Sequence, residues 1–270
     1  MSSEPRSPRS RSPVASTLGS WRPDRRSFLA AAGLGLAAAA CGGGSALGGS
    51  GPSSSSSSAP ASTRLPGPAA FVTHGPTKGN RVALTFHTSG DLGRAAQLLD
   101  VLAQRKVVMT AFIVGSWLDA NPSWAQRLRD AGHELANHTY THPQFESLSP
   151  SAMADEIDRC RDLLIRLTGS GGRFFRPSGT ADGQVAPTPT VLDVAGRSDY
   201  PVVLGFDVDP LDYQDPGAPA VTQRTLAAVR AGSVVSLHFD HPGTVTALPA
   251  ILDGLDERGL TPVTASKLLS

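Results

Sequence analysis

This chain has few cysteines, few aromatic residues and almost no net charge. Two cysteines in 270 residues exclude a disulfide framework, and aromatic residues make up only 6% of the chain. The 24 Lys and Arg residues nearly balance the 23 Asp and Glu residues. Six of the arginines and only two of the acidic residues precede Cys41, so the rest of the chain carries 18 basic against 21 acidic side chains. This slightly acidic balance gives no basic surface for nucleic acid.

No apolar run is long enough to span a bilayer, but the first 41 residues have the features of an export signal. The sequence Arg-Arg-Ser-Phe-Leu at 25–29 is typical of a twin-arginine signal, and a short apolar stretch continues to residue 40. Small residues lead into Cys41 as in a lipobox, although Ala38 stands where leucine is usual. We therefore expect an exported protein that a lipid on Cys41 anchors to the outer face of the cell membrane, with plain secretion as the alternative.

Residues 42–77 are rich in glycine, serine and proline and include six consecutive serines at 53–58. Because this composition cannot bury a core, we predict a flexible linker here. The chain is therefore predicted to have three segments: a signal peptide ending in a lipobox-like cysteine over 1–41, the linker over 42–77, and one catalytic domain over 78–270. Cys160 has no partner once Cys41 is acylated, so it is expected to be a small buried residue.

Beyond the linker, apolar runs typical of strands alternate with amphipathic stretches typical of helices. This alternation predicts parallel strands joined by crossovers, hence an α/β fold that is either a doubly wound sheet or a barrel. About seven strands favour a distorted (β/α) barrel. The predicted strands are 81–86, 107–114, 133–138, 173–176, 201–207, 233–238 and 261–264, and the clearest helices are 95–103, 123–131 and 152–167.

His138 and His142 are the strongest indication of chemistry in the sequence. They lie four residues apart after an apolar strand, and two imidazoles at this spacing can bind one divalent metal. A metal there would indicate hydrolysis. The alternative is a pair of polar loop histidines, which the spacing alone does not exclude.

Other polar residues also follow predicted strands. Because the C-terminal ends of the strands gather on one rim of a β/α barrel, we expect these side chains to share one pocket with the histidine pair. Alone, each has a structural explanation: an arginine in a surface ion pair, aspartates in a solvated turn, or a core histidine. The residues are His87, Arg176, Asp207, Asp209, Asp212 and His238.

Four of these segments, in order along the chain, resemble the motifs of the NodB-like polysaccharide deacetylases. They are His-Thr-Tyr-Thr-His at 138–142, Arg-Pro-Ser-Gly at 176–179, Asp-Pro-Leu-Asp-Tyr at 209–213 and Leu-His at 237–238. The resemblance covers roughly residues 78–270. It implies a metal-dependent hydrolase that removes N- or O-linked acetyl groups from glycans on a distorted β/α barrel. The implied metal is most simply Zn²⁺, with Co, Ni or Mn as alternatives.

The resemblance also implies roles in proton transfer. His238 would protonate the leaving amine. Asp209 or Asp212 would keep that histidine charged or pair with Arg176, which in turn would orient the base. His241 lies close by in the sequence, but none of the motifs includes it.

The same motifs place further residues at the substrate, which is expected to be peptidoglycan or another acetylated glycan. A backbone N–H near 177–178 would stabilise an oxyanion, and the ring of Tyr213 would form an aromatic wall for a sugar or an acetyl methyl group. The residues expected to contact substrate are Pro177, Ser178, Tyr213 and Leu237.

The first motif departs from the family pattern. Family members usually have Thr-Phe-Asp-Asp-Gly, in which the first aspartate is the base and the second binds the metal, but this chain has Thr-Phe-His-Thr-Ser-Gly-Asp at 85–91. His87 then takes the base position and Thr88, a poor ligand, takes the metal position. Asp91 could complete a metal site with the two histidines and leave His87 as the base, or His87 could bind the metal and Asp91 accept the proton. Alternatively, Asp91 caps the following helix and the site is inactive.

These observations leave different classes of function open. The first is an exported, metal-dependent deacetylase of cell-wall or extracellular glycan. The second is a catalytically impaired module on the same fold that binds glycan or metal. Hydrolysis of another small amide or ester is a further possibility, because the fold alone does not select a substrate.

Overall fold

Eight strands form the sheet of the computed structural model, which describes residues 67–180 and 182–270. The strands are β1 (Ala70–Val72), β2 (Arg81–His87), β3 (Thr110–Ile113), β4 (Glu134–Asn137), β5 (Phe174–Phe175), β6 (Val202–Leu204), β7 (Val234–His238) and β8 (Thr261–Val263). The helices are α1 (Leu92–Gln104), α2 (Gly115–Ala120), α3 (Ser123–Asp130), α4 (Pro150–Thr168), α5 (Pro189–Arg197), α6 (Ala218–Ala228), α7 (Pro242–Glu257) and α8 (Ala265–Leu268). Short 3-10 helices lie at Phe145–Ser147 and Asp212–Gln214.

All of these strands pair in parallel, in the order β1-β6-β5-β4-β3-β2-β7, and β8 pairs with the first half of β2. The sheet curls without closing, since β1 and β7 lie at its two ends. Strand β2, which pairs with β3, β7 and β8, is buried at every residue after Arg81, as expected for a strand covered on both faces in a parallel sheet. The predicted distorted (β/α) barrel is therefore confirmed.

Helix α4 shows how the crossovers cover the sheet. It begins after Ser149, whose hydroxyl accepts a hydrogen bond from the N–H of Ala152, and ends at Gly169, which takes the left-handed φ of 78° that favours glycine. Its apolar residues recur every three or four positions and face the core. Cys160 on that face is buried and unpaired as predicted, and burial raises the pKa of its thiol to about 12.

The predicted linker extends too far into the domain. β1 pairs with β6 in a register that aligns Ala70 with Val202, and Ala69 is buried beside it, so the folded domain begins before residue 78. A strand of three residues shows too little periodicity to be detected in the sequence. The predicted signal peptide, Cys41 and the predicted linker up to residue 66 lie outside the described residues. No helix within residues 67–180 and 182–270 is long and apolar enough to cross a membrane.

Candidate active site

The carboxyl ends of the strands surround a cavity of about 720 Å³. Parallel strands present their carboxyl ends at one rim, so residues distant in the sequence meet there. Eight residues selected from the sequence line the cavity: His87, His138, His142, Arg176, Pro177, Asp209, Tyr213 and His238.

His138 has one nitrogen that is buried and has no partner. Its Nδ1 lies 2.9 Å from the carbonyl oxygen of Arg176, so we assign the ring proton to Nδ1. Nε2 then carries a lone pair, and it makes no hydrogen bond within the described residues. Burial is the main cause that lowers the pKa of His138 well below its usual value, which keeps this lone pair free at neutral pH. An imidazole fixed in this way by a backbone carbonyl suits a metal ligand.

His142 lies next to His138, with the two ring centroids 4.9 Å apart. The backbone of the connecting loop is unusual, because Thr139 and His142 both have φ values near 60°. The carboxylate of Glu156 on α4 accepts hydrogen bonds from the N–H groups of Tyr140 and Thr141 and from the Thr141 hydroxyl, at 2.7 to 2.9 Å. Glu156 thus fixes the loop that presents the second imidazole.

His87 is engaged through both ring nitrogens. Arg176 Nη1 lies 2.9 Å from His87 Nε2, and His238 Nε2 lies 2.9 Å from His87 Nδ1. A guanidinium only donates, so Nε2 of His87 accepts and the ring proton lies on Nδ1, which donates to His238. Burial, followed by the neighbouring His138 and His238, lowers the pKa of His87 well below its usual value, in agreement with a neutral ring.

His238 receives that hydrogen bond at Nε2 and donates from Nδ1 to Asp212 Oδ1 over 2.8 Å. Asp212 is almost fully buried and also accepts hydrogen bonds from the His238 N–H and the Thr244 hydroxyl. Of the two aspartates predicted to hold His238, the structure therefore selects Asp212. Asp209 lines the cavity separately, and burial raises the pKa of its carboxyl.

Arg176 is buried and makes four hydrogen bonds, all to neutral acceptors. Nε and Nη2 donate to the carbonyls of Leu204 and Gly205, and Nη1 donates to the Thr85 hydroxyl and to His87. Its guanidinium also lies 3.8 Å from the ring centroid of Phe112. Burial without a hydrogen-bonded carboxylate lowers the pKa of Arg176 to about 9. Arg176, for which the sequence also allowed a surface ion pair, is therefore a buried hydrogen-bond donor to His87.

The predicted metal ligand Asp91 does not lie with the two histidines. Its carboxylate accepts from the N–H of Arg94 and caps α1, which is the alternative stated from the sequence, and it does not line the cavity. Thr88 is buried, and its hydroxyl accepts from the N–H of Val114. Within the described ranges, no group of three or more His, Cys, Asp or Glu side chains is placed to hold a metal ion. The structure thus offers two imidazole donors and no third.

Three other residues singled out from the sequence lie away from the cavity. Leu237 is fully buried in the main core, because alternate residues of a strand face opposite sides. The Ser178 hydroxyl is buried between the carbonyl of Pro143 and the hydroxyl of Thr139. Asp207 binds the backbone N–H of Val234 and the Ser233 hydroxyl. The prediction that the Leu237 and Ser178 side chains contact the substrate is therefore wrong.

The sequence alone assigns no role to several residues that shape the cavity. Trp117 and Phe206 line it and supply apolar surface, and the Trp117 indole donates to the carbonyl of Gly90. His241 lines it too, with its Nδ1 2.9 Å from Asp215 Oδ1. The His-Pro sequence at 241–242 was visible but matched no motif, and the two aromatic residues look like ordinary core positions in the sequence.

Comparison with known proteins identifies the family. The model of the polysaccharide deacetylase family matches residues 74–203. A peptidoglycan-N-acetylglucosamine deacetylase from Bacillus cereus is 30% identical over 199 residues, which cover 72% of this chain and 70% of the relative. A chitooligosaccharide deacetylase from Bradyrhizobium sp. is 31% identical over 206 residues, which cover 69% of this chain and 90% of the relative. The chain belongs to the polysaccharide deacetylase family, as the motif resemblance predicted.

A solved structure agrees with this assignment. A mutant of a CE4 family pseudoenzyme from Bacillus anthracis, described as having restored enzymatic activity, superimposes with a TM-score of 0.69 at 25% identity. The match covers 74% of this chain and 71% of that one. The fold is therefore that of the CE4 deacetylases.

Proposed function

We propose that this protein hydrolyses acetyl groups, N- or O-linked, from an acetylated cell-wall or extracellular polysaccharide. The observation that carries the proposal is that one cavity contains both the unpaired Nε2 of His138 and a series of hydrogen-bonded groups that can transfer protons. Relatives named for peptidoglycan and chitooligosaccharide support an acetylated amino-sugar polymer as the substrate.

His138 and His142 would hold a divalent metal, most simply Zn²⁺, with Co, Ni or Mn also suited to imidazole ligands. The fit is supported by the orphaned, buried His138 nitrogen and by the backbone carbonyl that fixes its ring. A metal at this position supplies polarisation of the acetyl carbonyl and a lower pKa for water. Neither Asp91 nor Thr88 is free to add a ligand, so the site is open on the remaining sides.

His238 is the residue best suited to take the proton of the attacking water. The resemblance assigns it the acid role and leaves the base to His87 or Asp91, but His87 has no free lone pair and Asp91 caps a helix. His238 Nε2 does carry a lone pair, and the buried carboxylate of Asp212 would stabilise the imidazolium that forms. The His87 N–H must first leave this nitrogen.

The walls of the cavity fit an acetylated sugar. Trp117 and Phe206 would enclose the acetyl methyl group and exclude water, while the half-exposed ring of Tyr213 would stack against a sugar. Arg176, through its bond to Nε2, keeps the ring proton of His87 on Nδ1.

A specific observation favours a second candidate, a module that binds glycan without hydrolysing it. His87 and His238, at the family's base and acid positions, are hydrogen-bonded to each other. Thr88, at the position of the family's metal-binding aspartate, accepts a hydrogen bond from the backbone N–H of Val114. A cavity in this state could still bind an acetylated sugar through its aromatic walls.

The two candidates differ in acetate release. The purified protein is assayed for metal by elemental analysis and for acetate released from N-acetylated chitohexaose and from acetylated peptidoglycan, before and after chelation. About one equivalent of metal with acetate release that chelation abolishes and Zn²⁺ restores supports the deacetylase. Glycan binding by calorimetry without any acetate release contradicts it and supports the binding module.

We further propose that the protein is exported and held at the outer face of the cell membrane by a lipid on Cys41, because the twin-arginine sequence and the lipobox-like residues lie in the expected order. The Cys41→Ala variant should then move from the membrane fraction to the soluble exported fraction. Equal distribution of the two proteins would contradict lipid anchoring.

A further inference from the structure

A second imidazole–carboxylate pair lies at the rim of the cavity, outside the matched motifs. His241 Nδ1 is 2.9 Å from Asp215 Oδ1, and the His241 side chain is mostly shielded from solvent, with 22% of it exposed. Its ring centroid lies 5.7 Å from that of His238. Both histidines line the same cavity.

The two pairs repeat one arrangement. Asp212 and Asp215 are three residues apart at the beginning and just past the end of a 3-10 helix, and His238 and His241 are three residues apart at the end of β7 and the start of α7. Each aspartate accepts from Nδ1 of one histidine. Each histidine is thus oriented with Nδ1 towards a carboxylate.

The two histidines differ at the opposite nitrogen. His238 Nε2 accepts a hydrogen bond from His87, whereas His241 Nε2 makes none with the residues that the structure describes. A carboxylate at Nδ1 stabilises the doubly protonated ring. His241 can therefore carry a proton on Nε2 without first breaking an internal contact.

Hydrolysis of an acetamide needs two proton transfers. A proton must be removed from water, and a proton must be delivered to the nitrogen as the carbon–nitrogen bond breaks, because an amide anion is a very poor leaving group. In the proposed reaction, His238 takes the first proton at Nε2, the nitrogen that accepts the hydrogen bond from His87 in the structure. One histidine can perform both transfers in turn, but His241 gives this cavity a second donor, whose Nε2 has no hydrogen-bond partner among the described residues.

We propose that His241 is the catalytic acid, an inference that depends on the proposed deacetylase activity. The His241 imidazolium, paired with Asp215, gives its Nε2 proton to the leaving nitrogen while the electron pair of the breaking bond moves to that nitrogen. The carbonyl carbon keeps the oxygen of water, so acetate and a free amine are formed. Both imidazoles then return to their starting protonation by exchange with solvent.

The test compares two substrates that differ in their need for an acid. N-acetylated chitohexaose has an amine leaving group that must be protonated, whereas 4-nitrophenyl acetate releases a stable phenolate that needs no proton. In the full-length, metal-loaded protein, His241→Gln should lower kcat on chitohexaose about 100-fold but change kcat on the ester by less than about threefold. Asp215→Asn should show the same pattern with a smaller loss on chitohexaose.

The matched control is His74→Gln, which changes a histidine outside the cavity and should leave both activities unchanged. Equal losses on the two substrates, or no loss on chitohexaose, would overturn the proposal, and the second result would mean that His238 performs both transfers. Wild-type protein that releases no acetate from chitohexaose would overturn the proposed function and this inference together. Thermal unfolding of each variant checks that a loss on both substrates is not loss of the fold.

Discussion

His87 Nδ1 donates a hydrogen bond to His238 Nε2 over 2.9 Å. The two residues end neighbouring strands and are paired in the register of β2 and β7, so the contact follows from the sheet itself. The hydrogen bond connects the residue at the family's base position, His87, with the residue at its acid position, His238. The proposed activity would therefore depend on how easily this hydrogen bond opens.

We predict that His87→Asp increases acetate release at least about tenfold. An ionised aspartate cannot donate to His238, and it gives the buried guanidinium of Arg176 the carboxylate that it lacks, so His238 Nε2 becomes free. The measurement is acetate released from N-acetylated chitohexaose in the presence of Zn²⁺. His87→Asn is the control of equal size without charge, and a rate for His87→Asp at or below that of the wild type would contradict the prediction.

We predict that Thr88→Asp tightens Zn²⁺ binding about 100-fold. Four-ligand zinc sites are worth roughly 10–16 kcal/mol, so one added ligand contributes about 3 kcal/mol, and each 1.4 kcal/mol is a factor of ten. Residue 88 lines the same cavity as the two histidines that are proposed to bind the metal. Calorimetric titration with Zn²⁺ measures the effect. Thr88→Asn keeps an acceptor for the Val114 N–H without the charge, and similar affinities for the two variants would refute the prediction.

We predict that Glu156→Gln destabilises the domain by about 2 kcal/mol and weakens Zn²⁺ binding about tenfold. An amide replaces one of the two carboxylate oxygens that hold the loop before His142, leaving buried N–H donors unpaired or opposed. Denaturant unfolding and Zn²⁺ titration give the two quantities. Asp155→Asn, an exposed neighbour on α4, should change the stability by less than about 0.5 kcal/mol. An unchanged Zn²⁺ affinity in Glu156→Gln would exclude the positioning role.

We predict that the free energy of unfolding falls as the pH is lowered from 6.5 towards 4. Burial lowers the pKa of His133 from 6.5 to about 4, so in this range the unfolded chain binds a proton that the folded protein does not. Protonation would also remove the acceptor that His133 Nδ1 offers to the N–H of Met109. Stability is thus fully present above pH 6.5 and is lost below it.

Denaturant unfolding at several pH values from 7 to 4.5 measures this dependence. His133→Gln can keep an acceptor for Met109 but does not titrate, so its profile should be shallower than that of the wild type. Parallel profiles for the two proteins would show that His133 does not contribute.

The order of strands and helices was predictable because the alternation of apolar runs is strong. β2 was predicted as 81–86 and extends one residue further, to His87. β3 is shorter than the predicted 107–114, because its hydrogen-bonded pairing with β4 begins only at Thr110. β1 was missed because three residues after a proline-rich segment carry almost no pattern.

Most of the polar residues of the site were predictable, but the hydrogen bonds between them were not. The rule that strand ends share one rim brought His87, His138 and His238 together. The hydrogen bond between His87 and His238 joins residues 151 positions apart and depends on β2 lying beside β7, which no local pattern specifies. Asp91 illustrates the same limit, because the direction of a side chain at a helix start is set by the cap.

Cys160 is the only cysteine that follows Cys41 in the sequence. A thiol that is buried and has a pKa of about 12 holds almost no thiolate at pH 7 to 8, and maleimide reagents react with thiolate. A cysteine introduced on the surface of this domain can therefore be labelled selectively without removing Cys160. A fluorophore at the exposed Ser116, which also lines the cavity, would then report glycan binding by a change in its emission.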